Sequence, residues 1–246
     1  LAERIRPQKL EDYISQLHLV GPNGSLTKQI ANGSIPSMIF WGSPGTGKTT
    51  LISALVRALP GIGLKSILLA PTGRAAKVMS TYSGKVAHTI HRKIYRPKQN
   101  DGNWYSYSLS PNQHTNTLFI VDEASMIPDR SATQEGFGNN QNLLQDLIDY
   151  VKSGANCRML LVGDNAQLPP VGLDNSPALD IRLLAGYYGL RAGHFELTEV
   201  VRQEQQSGIL FNATTLRNAI RANATVPSFR EGFSDFERVA GTDLGE

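Results

Sequence analysis

Met38-Ile39-Phe40-Trp41-Gly42-Ser43-Pro44-Gly45-Thr46-Gly47-Lys48-Thr49-Thr50 is the stretch on which the fold turns. Its first four residues form a continuous apolar run, which reads as a buried strand. Gly42–Thr49 then fits the pattern G-x-x-x-x-G-K-[ST]. Beyond it, Thr49–Leu59 sets Leu51, Ile52, Leu55 and Val56 on one helical stripe before Pro60-Gly61 stops it. Strand, glycine-rich turn and helix together make a P-loop. The glycines let backbone N–H groups turn inward around phosphates, and the helix N-terminus adds its positive end. Lys48 is expected to reach the β- and γ-phosphates of ATP, and the Thr49 hydroxyl to bind Mg²⁺. Gly42, Ser43, Pro44, Gly45, Thr46, Gly47, Lys48, Thr49 and Thr50 are the candidate ATP-binding residues. A chance glycine-rich turn is the bland alternative, and the correct flanks on both sides count against it.

Four more apolar runs surround this one: Ser66–Leu69, Leu118–Val121, Arg158–Val162 and Phe195–Leu197. Runs without alternation suit strands covered on both faces. Helical periodicity lies between them, over Asn142–Val151 with Gly154 as its terminator and over Ser207–Ile220 with Ser207 as its cap. The alternation predicts an α/β P-loop NTPase fold, a mostly parallel sheet with helices on both faces and ligands at the carboxyl ends of the strands. Asp122-Glu123 follows the run 118–121. In the P-loop template Asp122 holds Mg²⁺ and Glu123 orients or deprotonates the attacking water. Alone the pair would read as a solvated acidic loop; beside a P-loop it reads as catalytic. Arg96–Thr117 is a polar stretch around Trp104, Tyr105 and Tyr107 that reads as a small insertion, and Ser131–Gln141 is rich in glycine and asparagine and reads as a loop.

The formal charge is only +3, which permits a nucleic-acid partner without arguing for one. No apolar run approaches the ~18 residues of a membrane span, and no charged-then-apolar leader is present, so the expected location is the cytoplasm. The single cysteine, Cys157, excludes a disulfide within the chain and a Cys-based zinc site. It reads as a buried structural thiol. The chain opens on Leu1 rather than Met, which suggests a fragment.

Further motifs occur in a fixed order. They are Ala70-Pro71-Thr72-Gly73-Arg74-Ala75-Ala76-Lys77, His88-Thr89-Ile90-His91, Val121–Ile127, Gly163-Asp164-Asn165-Ala166-Gln167-Leu168-Pro169-Pro170-Val171-Gly172 and Leu197–Gln203. From about residue 60 to 222 the series resembles the first motor domain of superfamily-1 DNA helicases of the RecD-like type. That resemblance implies a RecA-like domain that couples ATP turnover to movement on single-stranded DNA, 5′ to 3′ in the parent protein. By position, it implies that Gln167 senses the γ-phosphate and that Arg202 contacts it and stabilises transition-state charge. It also implies that Thr72, Gly73, Arg74, Thr89 and His91 touch the DNA backbone. Taken singly, His88 and His91 are more often packed or solvated histidines than contacts. Such helicases carry a second RecA-like domain, which nothing after Arg202 resembles, so this chain by itself is expected to be a weak ATPase and no helicase.

The first fifty residues resemble a different family. Leu1–Pro7, Asp12–Gln16, His18–Pro22 and Ser37–Gly42 are similar to the start of RarA/MgsA-type AAA+ ATPases, relatives of clamp loaders. There, Ile14 and its neighbours would flank the adenine. The chain thus reads as two families joined inside or just after the shared P-loop, by natural fusion, by engineering or by an assembly artefact. The expected organisation is an AAA+-like lead-in over 1–36, the ATPase domain over 37–222 and a tail or linker over 223–246. A clamp-loader-like AAA+ ATPase and a non-catalytic, nucleotide-gated binding module stand as alternatives.

Overall fold

The computed structural model describes residues 15–99, 105–129, 142–199, 207–222 and 228–237. They fall into two compact units that divide between Glu199 and Val200. The strands, all in the first unit, are β1 (Met38–Gly42), β2 (Lys65–Ala70), β3 (Ala87–Thr89), β4 (Tyr95–Gln99), β5 (Tyr105–Leu109), β6 (Thr117–Val121), β7 (Arg158–Gly163) and β8 (Gly193–Leu197). Six of them form one sheet in the order β3-β2-β6-β7-β1-β8. Every neighbouring pair in that sheet is parallel. The expected α/β class therefore holds, and the sheet is wholly parallel. The five strands read from apolar runs all form; β3 is an addition.

Parallel strands need covered crossovers, and helices lie on both faces. Side chains alternate between two cores because successive residues of a strand face opposite ways. Phe40, Leu118, Ile120, Leu160 and Val162 join one core, with residues of α1 (Leu17–Val20), α2 (Ser25–Ala31), α3 (Lys48–Ala58) and α4 (Gly73–Ser83). Ile39, Phe119, Val121, Met159 and Leu161 join the other, with α5 (Ile90–Ile94), α6 (Leu143–Ser153) and α7 (Ile181–Gly186). β6 is buried along its whole length, and each such Leu, Ile, Val or Phe contributes about 1.5–3 kcal/mol. The described residues before β1 are not a loose leader: Leu19, Val20, Leu26 and Ile35 are core residues.

Local signals fixed the helix ends. The Asn142 side chain accepts from Gln145 N at 2.9 Å and caps α6, while Gly154 closes it with its N–H on Val151 O. The polar stretch 96–117 holds most of a β4–β5 hairpin, in register Tyr95↔Leu109 and Pro97↔Tyr107. Trp104 and the 131–141 loop lie outside the described residues. Cys157 departs from expectation. It is half-buried rather than buried, its Sγ donates to His114 O at 3.3 Å, and partial burial pushes its thiol up.

In the second unit, α8 (Gly208–Arg221) realises the helix expected over 207–220. Asp235 accepts from the Ser207 hydroxyl and from Gly208 N–H at the start of this helix. Asn212 exchanges two hydrogen bonds with the backbone of Arg230, whose guanidinium lies over the rings of Phe211 and Phe233. Among the described residues, no helix is long and apolar enough to cross a membrane.

Candidate functional site

The P-loop leaves β1 and enters α3, whose N-cap is Gly47 and whose first residue is Lys48. Gly47 has φ 80, a left-handed conformation that glycine adopts without strain. Gly42 is glycine for a different reason: a Cβ there would lie 2.7 Å from Leu197 O and 2.9 Å from Thr46 Oγ1. The loop is thus pressed against the end of β8. Thr46 is buried, and its hydroxyl donates to Ser43 O at 2.8 Å, closing the turn on itself. Lys48 Nζ donates to the carbonyls of Gly42 and Ser43. The ammonium is therefore held over the loop's mouth, where phosphate oxygens can take the place of those carbonyls. Thr49 is exposed and Thr50 half-buried at the first turn of α3, where backbone N–H groups have no helical partner.

The acidic pair stands at the carboxyl end of β6, two strands from β1 with β7 between. Asp122 Oδ1 accepts from Glu123 N at 2.9 Å, and Oδ2 accepts from the Tyr82 hydroxyl at 2.6 Å. Glu123 has φ 53, a conformation costing a non-glycine residue about 1–2 kcal/mol, of a kind that concentrates at functional sites. Burial pushes its carboxyl above the usual carboxylate range, the Asp122 charge adds to that, and Lys48 works against it. Lys48 and the acidic pair therefore share one electrostatic environment.

β7, between these two strands, ends at Gly163 and leads into Asp164. Asp164 is buried, with Oδ1 accepting from Ala166 N at 3.0 Å, and Gln167 N donates to Asp164 O at 3.1 Å. The turn presents a half-buried Gln167 beside a cavity of about 450 Å³ that Asn165, Asp180, Arg182 and His194 also line. No P-loop residue lines that cavity. Arg202 and Ile14 fall outside the described residues.

The candidate DNA contacts gather at the other half of the same edge. Ala70, the last residue of β2, is paired with Thr89, the last of β3. Thr72 and Thr89 are N-caps of α4 and α5, their Oγ1 atoms accepting from Ala75 N and Arg92 N. Each hydroxyl keeps its proton to donate. Thr72, Gly73, Arg74 and His91 are exposed. The structure thus brings the two threonine-bearing helix starts side by side.

Two residues escaped the sequence reading. Gln16 is fully buried at φ 56. Its Nε2 donates to Glu199 O at 2.7 Å and Thr46 O at 3.3 Å, and its Oε1 accepts from Thr198 N at 3.0 Å. It ties the P-loop to the segment leaving β8. Tyr82 is the other. Both act across long sequence separations, so no local pattern marks them.

Comparison with known proteins finds relatives of both kinds. Residues 24–226 match the AAA domain family AAA_30. The chain is 35% identical over 174 residues to the ATP-dependent RecD2 DNA helicase of Deinococcus radiodurans, covering 70% of this chain and 20% of that protein. It is 29% identical over 238 aligned positions to replication-associated recombination protein A of Haemophilus influenzae, covering 80% of this chain and 52% of that one. Against the Escherichia coli K12 protein of the same name the identity is 49% over 57 residues, 23% of this chain and 13% of that one. The chain thus spans between about an eighth and a half of these relatives' lengths. With its P-loop, its β6 acidic pair and a match over residues 24–226, the chain belongs to the AAA domain family AAA_30.

Proposed function

We propose that this chain is the ATP-hydrolysing motor domain of a DNA helicase that acts on single-stranded DNA, moving 5′ to 3′ in the parent protein. The observation that carries the reading is the order of motifs along one sheet edge. The P-loop, the Gln167 turn and Asp122-Glu123 follow the neighbouring strands β1, β7 and β6, and the Thr72 and Thr89 helix starts follow the next two, β2 and β3. In this reading a nucleotide half and a DNA half share one sheet.

In this reading the loop amides and the start of α3 bind the phosphates of ATP, and Lys48 exchanges the Gly42 and Ser43 carbonyls for β- and γ-phosphate oxygens. Thr49 and Asp122 would hold Mg²⁺, which when bound neutralises charge on the transferring phosphoryl group. The donors fit. A carboxylate and a hydroxyl are hard oxygen ligands, and Mg²⁺ takes one or two carboxylates with substrate phosphates rather than a dedicated cage. Among the described residues, no group of three or more His, Cys, Asp or Glu forms such a cage. Glu123 orients the attacking water and takes its proton, a task that its raised proton affinity suits. Gln167 senses the γ-phosphate, and Arg202 stabilises charge in the transition state. Thr72, Gly73, Arg74, Thr89 and His91 grip the DNA backbone without reading sequence. A second RecA-like domain in the parent protein completes the cleft whose opening and closing drives stepping.

The test is ATP turnover with and without single-stranded DNA, beside Glu123→Gln. The proposal expects a low basal rate that DNA raises and that Glu123→Gln reduces by about 10²–10⁴-fold with ATP still bound. Turnover at the Glu123→Gln level under both conditions would instead leave a nucleotide-gated binding module. The similarity to replication-associated recombination protein A favours a second reading, a clamp-loader-like AAA+ ATPase. ATP-dependent assembly into rings, read by sedimentation, would select that reading.

A further inference from the structure

Tyr82 lies near the C-terminal end of α4, an element with no part in the P-loop template, yet its hydroxyl reaches Asp122 Oδ2 at 2.6 Å. The reach follows from the topology. β3 pairs only with Leu68–Ala70, the last half of β2, so α4 returns to the sheet close to the carboxyl edge. Several bonds fix the end of α4 there. The Ser53 hydroxyl of α3 donates to Tyr82 O at 3.2 Å. Lys85 Nζ donates to Ser66 O and Ser66 Oγ of β2 at 2.7 and 2.8 Å. The residue is buried and belongs to the core, so its position is held by packing as well.

We infer that Tyr82 is a positioning residue for Mg²⁺: by donating to one oxygen of Asp122 while Glu123 N holds the other, it locks the carboxylate in the orientation that receives the metal of bound Mg-ATP. This inference rests on the proposed nucleotide site. An acidic side chain held by a single backbone N–H can still turn about its last bond, and the phenol removes that freedom. Partners that orient a metal-binding carboxylate typically matter 10–100-fold for metal affinity. The plain structural role, a buried hydroxyl finding an acceptor, predicts no effect on the metal.

The test uses Tyr82→Phe in the full chain, which removes one oxygen and keeps the buried ring. A fluorescent ATP analogue reports binding while Mg²⁺ is titrated, and the midpoint is compared with that of the unmodified chain. The expected result is a Mg²⁺ midpoint raised about tenfold, with analogue binding in EDTA unchanged. In an Asp122→Asn background, Tyr82→Phe should add no further shift, because both substitutions break the same link. An unchanged midpoint in folded Tyr82→Phe overturns the role of Tyr82 and leaves the nucleotide site standing. So does an equal shift in the Asp122→Asn background. Failure of the unmodified chain to bind the analogue in a Mg²⁺-dependent way overturns the nucleotide-site reading and this inference together.

Discussion

Replacing Gln16 by Met keeps the length and volume of the side chain and deletes its hydrogen bonds. Those bonds run to Glu199 O (2.7 Å), Thr198 N (3.0 Å), Thr46 O (3.3 Å) and, longest, Glu199 N (3.4 Å), from a side chain with no exposed surface. A hydrogen bond contributes roughly 1 kcal/mol net, and an abandoned buried acceptor costs about 1–3 kcal/mol. Thr198 and Glu199 are exposed, so water can satisfy their backbone groups and the loss there is roughly halved. Thr46 is buried, and its carbonyl bears the fuller cost. The sum is a destabilisation of about 2 kcal/mol. For a chain of this size that lowers the melting temperature by roughly 4–8 °C. Calorimetry on the two proteins reads it directly. Nucleotide affinity should fall as well, because Thr46 sits inside the P-loop and loses its anchor. A melting temperature within about 1 °C of the unmodified chain would refute the reasoning, since it would mean that the Gln16 contacts contribute nothing.

Gly42→Ala drives a methyl into the backbone of Leu197 and should cost about 1–3 kcal/mol by denaturant midpoint, with weaker ATP binding from the displaced loop. An unperturbed variant would mean that β1 and β8 can separate freely at this point. Thr72→Ala removes the cap of α4 and should cost about 1 kcal/mol. Under the proposed function it also weakens binding of unrelated single-stranded oligonucleotides by a common factor, read by fluorescence anisotropy, and a loss confined to one sequence would contradict backbone gripping.

The centre of the sheet was legible because β1, β2, β6 and β7 carry continuous apolar runs, as strands covered on both faces do, whereas the edge strand β8 showed only Phe195 and Leu197 around Glu196. β3 was not legible. Ala87-His88-Thr89 is three residues long and half-buried, and it is a strand only because β2 offers it an edge. α4 hides for another reason: its buried side is Ala76, Met79, Tyr82 and Ser83, two of them small, so the apolar stripe is faint. Of the site, the residues whose chemistry demands a spacing were readable: Gly42 to Thr50 around phosphate, and Asp122-Glu123 at a strand end. Thr72, Thr89 and Gln167 came only through resemblance, since a cap and a turn glutamine have many uses. Tyr82 came through neither, and Gln16 only as the end of a stretch resembling AAA+ ATPases, with no role of its own. Each works through a contact that exists only once distant segments meet, and Gln16 adds a left-handed backbone that no glycine announces.

The place of β1 in the sheet has a consequence for how the protein is made. Its two neighbours are β7 and β8, so Met38 must wait for Leu160 on one side and Gly193 on the other. The ribosome needs roughly 8–30 s to synthesise the stretch from Gly42 to Leu197, at about 5–20 residues per second. Until β7 is made the apolar strand Met38–Trp41 has two bare edges, and until β8 follows it keeps one, the condition in which strands recruit other chains. The P-loop is thus synthesised well before the strands that frame it. A nascent chain stalled before Leu197 should cling to holdase chaperones, and release should come with the closing strand rather than with the length of chain exposed.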